Sequence, residues 1–307
     1  MIAVSVFGAL NNVIIFLITL RHHTNHRSGS SRLISSLSFA YALMCAVHFP
    51  ISSTMTFVQF TAGTIILAVL FQYSVSHRKT RDWLAFLLAV NRVIAVCLPH
   101  VYSQYSTRKA NYLGVAFSWL FSLLCVVPIA LRVGGSIEQS NSGNCIFLPA
   151  KIGHVLLALL SSAPIGLTGV AYIVVGMKIC CVDVISRRSV LPAVPVTTRE
   201  QKQRSNFARR RMAVTRMLCC SYLFGCACTA PGYVISSVYP GVYCRDPMIS
   251  PWSRVITLCE FALNPLILYF LDSDYRVGLS LLLRRRPDTR EDNTARNSRG
   301  IPGSLQR

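Results

Sequence analysis

Apolar residues run along this chain in long unbroken blocks rather than in alternation. Seven blocks stand out: Ile2–Leu20, Leu33–Val58, Gly63–Leu98, Tyr112–Leu131, Gly153–Cys181, Met212–Val238 and Trp252–Leu271. A helix needs about 20 mostly apolar residues to cross the ~30 Å hydrocarbon layer, and each block supplies enough for a tilted crossing. The period-two alternation of a membrane barrel is absent. The pattern therefore predicts an all-α membrane protein with a bundle of seven helices. Two stretches, Asp183–Arg211 and the tail after Leu283, are polar and basic and are expected to be flexible. Residues 1–283 make the membrane domain, closing in an amphipathic stretch from Asp272, and 284–307 a flexible cytoplasmic tail. No internal repeat is visible, which counts against an inverted-repeat transporter.

Composition agrees with the pattern: 52% of the residues are hydrophobic and only 14% charged, well below the roughly 25% charged of soluble domains. The net charge of +20 could suggest a nucleic-acid partner, but its placement argues against one. Arg21, Arg27 and Arg32 follow the first block, Arg108 and Lys109 the third, and Arg284, Arg285 and Arg286 the last. Between blocks five and six lie Arg187, Arg188, Arg199, Lys202, Arg204, Arg209, Arg210 and Arg211. The opposite loops carry only Arg132, Lys151, Arg245 and Arg254, partly offset by Glu138 and Asp246. The positive-inside rule then puts the amino terminus outside and the tail in the cytosol of a multi-pass cell-membrane protein. The basic clusters suit anionic lipid headgroups of the bilayer.

Met1–Leu20 has no basic leader, and its positive charge follows the apolar run, so a retained first helix is favoured over a signal peptide. The outer amino-terminal tail is then almost absent, either missing or clipped from this sequence. Twelve cysteines make no disulfide framework. Ten of them, among them Cys45, Cys180, Cys181 and Cys220, lie in or beside apolar blocks, where a free thiol packs as a small hydrophobe. Histidines and carboxylates show no metal or protease spacing, and no glycine-rich phosphate loop is present. No catalytic residue, metal or cofactor is expected.

Several landmarks sit at telling distances. Arg92, at the inner end of block three, is followed by Pro99 seven residues on and Tyr102 three further. Asn12 precedes Arg21 by nine, Trp119 precedes Pro128 by nine, and Pro164 precedes Tyr172 by eight. Block six holds Cys228-Thr229-Ala230-Pro231, and block seven Asn264-Pro265-Leu266-Ile267-Leu268-Tyr269. In this order the chain resembles the rhodopsin-like (class A) G-protein-coupled receptors. The resemblance covers nearly everything except Asp183–Arg211 and the tail. It implies a receptor, not an enzyme, that passes an extracellular signal to a heterotrimeric G protein, with a short helix eight opening at Asp272. Coupling and activation would fall to Asn91, Arg92, Tyr102, Tyr172, Arg211, Asn264, Pro265 and Tyr269. The fragment from Trp83 to Arg92 is also loosely similar to invertebrate neuropeptide receptors of the FMRFamide-like kind, which implies a peptide ligand.

The departures from the family pattern bear on mechanism. Asn91 stands where the family has an acid, so it cannot clasp Arg92 as an ion pair. Thr229 replaces a tryptophan, and Leu268 takes the place of the tyrosine that here comes one residue late as Tyr269. Leu67 stands where the family has the helix-three cysteine, so the usual outer disulfide cannot form; a Cys145–Cys244 bridge and two free thiols are both open. The polar run His77-Arg78-Lys79-Thr80-Arg81-Asp82 falls near mid-membrane depth, where charges are expensive and must pair. Tyr41 takes the place of the family's sodium-binding aspartate. The expectation is that the Arg81 guanidinium fills that cation site and pairs with Glu260, with Tyr41 as a further partner, while Arg78 and Asp82 pair along one helix face. The same run could instead be an outer loop before a short helix Trp83–Leu98.

For the ligand, Ser74 stands where aminergic relatives have aspartate and Leu258 where light-sensing relatives have lysine, so both classes are disfavoured. Ser74, His77, Arg78 and Thr229 are pocket candidates for a peptide or small molecule, although His77 also reads as a packed core histidine. Two other functions stay open: a divergent, non-signalling or chemosensory receptor-like protein, and a channel or carrier using His77–Asp82 as its polar pathway.

Overall fold

The computed structural model describes residues 1–25, 31–51, 53, 64–130, 135–139, 145–149, 151–188, 198–239, 246 and 248–283. The apolar blocks become helices α1 (Ile2–Asn25), α2 (Ser31–Leu43), α3 (Thr64–Cys97), α4 (Arg108–Ala130), α5 (Lys151–Arg188), α6 (Thr198–Val238) and α7 (Ile249–Leu271), and α8 (Ser273–Leu283) follows. These form a seven-helix membrane bundle with a short eighth helix. Five stretches among the described residues are long and apolar enough to cross a membrane unaided: Ile2–Arg21, Ser31–Ile51, Ser162–Cys181, Met212–Ile235 and Pro251–Leu271. Helix α3 carries the charged run at its middle. It is continuous through His77–Asp82, which removes the outer-loop reading: the run has good helix formers and no glycine or proline to break it.

Helix α3 is the axis of the bundle and lies against α2, α4, α5 and α6; α1 packs on α2 and α7, and α6 on α7. A larger core gathers Ile15, Ile18, Leu84, Leu88, Tyr172, Met217, Leu268 and Tyr275 toward the Arg92 end. A smaller one joins Tyr41, Met44, Cys45, Phe49, Leu258 and Phe261 between α2 and α7. Polar side chains face inward and many apolar ones outward: Asn12, Ser118 and Thr168 are buried while Leu113, Leu120 and Leu124 are exposed. That inversion suits lipid, where an inward hydroxyl is satisfied by the bundle and an outward leucine by acyl chains.

Local chemistry sets the details. A π-turn over Met44–His48 prolongs α2 just ahead of Pro50, whose ring and missing N–H disturb the regular ladder. Thr107 caps α4, its hydroxyl accepting the Ala110 N–H at 3.2 Å. A single-turn helix over Tyr102–Tyr105 precedes it. Asn12 Nδ2 donates to Gly8 O at 2.8 Å and to Phe261 O at 2.9 Å, tying α1 to α7. Trp119 Nε1 donates to Ser36 Oγ at 3.3 Å, joining α4 to α2. In α8, Tyr275 is buried while Val277, Leu281 and Leu283 are exposed, the one-sided pattern of a helix lying along the membrane.

One expectation needs correction. The two ends of Asp183–Arg211 are helical, since α5 runs to Arg188 and α6 begins at Thr198, because Arg, Gln, Lys and Glu propagate a helix well once it has left the bilayer; residues 189–197 lie outside the described residues. The bundle itself is helical, and a short hairpin lies in one of its connections. Strands β1 (Gly135–Gln139) and β2 (Cys145–Pro149) pair antiparallel between α4 and α5, and β2 lies against α3 and α5. The polar segment Ser-Asn-Ser-Gly-Asn between them is the turn signal that could have been read. Residues 284–307, the expected tail, lie outside the described residues.

Candidate functional site

The charged turn of α3 meets α7 in the middle of the bundle. Arg81, Asp82 and Glu260 are 9%, 7% and 5% exposed. Arg81 Nη1 donates to Glu260 Oε1 at 2.6 Å. Its Nε and Nη2 both donate to Asp82 Oδ1, at 2.9 and 2.7 Å. All three bonds join ionised groups, the short and strong kind. The guanidinium also lies 5.2 Å from the centroid of the Phe261 ring, close enough for a cation–π contribution. A charge at this depth must be paired, and Arg81 is paired on two sides.

Asp82, expected beside Arg78, thus holds Arg81. Adjacent side chains leave a helix about 100° apart and seldom face each other, but the long arginine curls back to its neighbour. Tyr41 stands beside the cluster, edge-on to Phe261 with ring centroids 5.0 Å apart. Its expected role as a further hydrogen-bond partner is not seen: among the described residues no bond joins its hydroxyl to Arg81 or Glu260, and the three guanidinium bonds go to the two carboxylates. Gly225 on α6 escaped the sequence reading. A Cβ there would lie 2.9 Å from Glu260 Oε1, so glycine lets the carboxylate rest against α6. The other oxygen, Glu260 Oε2, is buried without a hydrogen-bond partner among the described residues.

A cavity opens beside this cluster. Arg81, Asp82, Glu260, Thr229 and Tyr41 line one part of it, and Tyr172, Ser221 and Tyr222 another. Thr229 bonds back to Gly225 O at 2.8 Å, so its hydroxyl serves its own helix. Arg78 is close enough to Glu260 to act on its charge. His77 is buried and meets the Trp119 ring edge-on at 5.2 Å, the packing of a core histidine. Ser74 lies in α3, its side chain outside the described residues.

At the far end of α3, Asn91 and Arg92 are 8% and 5% exposed. Among the described residues, the Asn91 Oδ1 and Arg92 Nε atoms have no hydrogen-bond partner. Around Arg92 stand Tyr102, Tyr172, Tyr275 and Asp272, so residues from the single-turn helix after α3, from α5, from the C-cap of α7 and from α8 converge on it. Tyr172 also packs on Tyr222, ring centroids 5.4 Å apart, joining α5 to α6. Asn264 accepts a bond from Ser221 of α6, a partner the sequence did not point to. Pro265 is buried within α7. Leu268 is in the core while Tyr269 packs at its edge, its hydroxyl buried without a partner among the described residues. Arg211 lies in α6 and its side chain is outside the described residues. Cys145 opens β2, and Cys244 lies outside the described residues.

A bundle of seven membrane helices with a buried arginine facing α5 and α8 defines a membrane receptor architecture. Residues 11–268 match the 7 transmembrane receptor (rhodopsin family), and the chain belongs to that family. It is similar to the rat somatostatin receptor type 4, 22% identical across 98% of this chain and 79% of the relative. The rat somatostatin receptor type 1 is likewise 22% identical, across 91% of this chain and 69% of its own length. The dog long-wave-sensitive opsin 1 is 22% identical over 78% of this chain and 65% of the opsin. The chain is therefore a multi-pass receptor protein rather than an enzyme.

Proposed function

We propose that this protein is a signalling receptor that carries an extracellular ligand signal to a heterotrimeric G protein, with its amino terminus outside and α8 in the cytosol. The observation that carries the proposal is the convergence on buried Arg92 of Tyr172 from α5, Tyr102 from the inner loop, and Asp272 and Tyr275. Arginine is always charged, so a phenol or carboxylate that shifts beside Arg92 changes its electrostatic balance. The Asn91 amide cannot ion-pair with it. Basal activity above that of relatives with an acid at that place follows. Asn264, Pro265, Tyr269 and Arg211 belong to the same coupling half of the bundle.

The ligand enters from the opposite end, where the β1–β2 hairpin lies against α3 and α5. A peptide or small molecule is the chemical class proposed, with Ser74, Arg78 and Thr229 on its path; preference for a peptide rests on the fragment Trp83–Arg92. Leu258, buried in the α2–α7 core, stands where a light-sensing relative has lysine, which argues against a retinal ligand. The polar channel or carrier path finds no support: Arg81 is closed onto two carboxylates and His77 onto Trp119.

The test is G-protein dissociation in cells expressing the chain, read with and without a ligand library, against Arg92→Ala. Wild-type signal that Arg92→Ala abolishes at equal surface expression supports coupling. Identical traces for the two across every G-protein class would leave the receptor-like, non-coupling alternative, to which Thr229, Leu268 and the unpartnered Asn91 Oδ1 already lean.

A further inference from the structure

The inner end of α5 carries two adjacent exposed thiols, Cys180 and Cys181. Above them Val170, Ile173 and Met177 are 58%, 62% and 57% exposed. Residues three and four apart share a helix face, so the thiols continue this outward stripe by one further step. An apolar face turned out of a membrane bundle meets acyl chains rather than water. The two thiols close the apolar block Gly153–Cys181, and Asp183, Arg187 and Arg188 follow it. Charged side chains are costly inside the hydrocarbon layer, so the pair lies at its boundary. Cys45 is buried, Cys97 at the end of α3 is only partly exposed, and Cys220, although exposed, sits about 12 Å inside the apolar block that begins at Met212.

We propose that Cys180 and Cys181 form an S-acylation site that takes a long-chain fatty acyl group from acyl-coenzyme A. The cysteine sulfur attacks the acyl carbonyl, and a new thioester forms as the one to coenzyme A breaks. Coenzyme A leaves as its thiol, taking up the proton the cysteine gives up, and nothing is oxidised or reduced. A juxtamembrane cysteine is the usual acceptor in this chemistry, and the attached chain lies back along Met177, Ile173 and Val170. The modification would pin the end of α5 two turns from Tyr172, the residue beside Arg92. This inference rests on the proposed orientation, which puts these thiols on the cytosolic side with acyl-coenzyme A.

The full chain, expressed in mammalian cells, is blocked with a maleimide, treated with hydroxylamine and tagged on each released thiol. A hydroxylamine-dependent tag is expected, and trypsin cleavage after Lys178 and Arg187 should place it on the peptide 179–187. It should be lost in Cys180→Ser/Cys181→Ser and kept in Cys219→Ser/Cys220→Ser. The mapping on wild-type protein stands even where the double variant fails to reach the membrane. No hydroxylamine-dependent tag, or a tag on another peptide only, overturns the site. An epitope inserted within 189–197 separates the two ideas. If it is reached only after permeabilisation and no acyl group is found, orientation stands and acylation falls. If it is reached on intact cells, both fall.

Discussion

Removing Arg81 strands two carboxylates, since Asp82 and Glu260 both bond to its guanidinium. Breaking a buried pair by deleting one partner costs about 3–5 kcal/mol, so Arg81→Ala should lose surface expression and thermal stability by that order. Glu260→Gln leaves the Arg81–Asp82 contact in place and should cost less. Arg81→Ala with Glu260→Gln should recover part of the loss, and adding Asp82→Asn should recover more. A triple variant no more stable than Arg81→Ala would show that charge pairing is not what holds α3 to α7. Gly225→Ala pushes a methyl against Glu260 Oε1 and should shift basal G-protein dissociation. The control Gly166→Ala meets nothing within 4 Å and should leave it unchanged. The Arg81–Glu260 contact was legible through the family resemblance, which sets both residues at one cation site, and through the need of a buried charge for a partner. Asp82 as the second partner was not, because neighbours in a helix point apart, and Gly225 has no side chain to signal its role.

Helix-to-helix contact depends on small residues and inward amides. Gly8 faces Cys45 and the backbone of Ala262, where a Cβ would lie 2.8 and 2.9 Å away. Backbone cannot swing aside as a side-chain end can, so Gly8→Val should cost about 1–3 kcal/mol by overpacking. Asn12→Ala removes the bond to Phe261 O and should cost about 0.6–1.7 kcal/mol, the range of interhelical polar bonds in a membrane. Thermal unfolding in detergent checks both, and a stabilised Gly8→Val protein would contradict the close α1–α7 approach. The blocks themselves were readable to within a few residues at the membrane. The ends of α5 and α6 that face each other in sequence were not: hydropathy marks where a helix leaves the bilayer, whereas α5 and α6 continue on helix propensity alone. The hairpin was missed because hydropathy is blind to short strands outside the bilayer.

Across the whole molecule, the buried cation is built in. Arg81 sits where α2, α3 and α7 converge, beside Tyr41, and a second cation there would meet its charge. Basal signalling should accordingly stay the same when sodium chloride is replaced by N-methylglucamine chloride at equal ionic strength. A clear sodium dependence would mean that Arg81 does not fill that place. The cavity extends from this cluster to Tyr172, so on the proposed function the ligand half and the coupling half of the bundle share one interior space. A ligand that moves Glu260 or Gly225 can thereby reach the Arg92 end through α6, on which Ser221 bonds to Asn264.

Chain patterning alone determined seven crossings, the sidedness of the basic residues and the need for the charges of α3 to find partners. Hydrophobic length, loop charge and the cost of an unpaired ion are local quantities, and a sequence states them directly. Which carboxylates close on Arg81, which glycine makes room for them and which phenols stand by Arg92 depend on rotation and approach of separate helices. Those are set only when side chains far apart in the chain pack together, and no single segment carries that information.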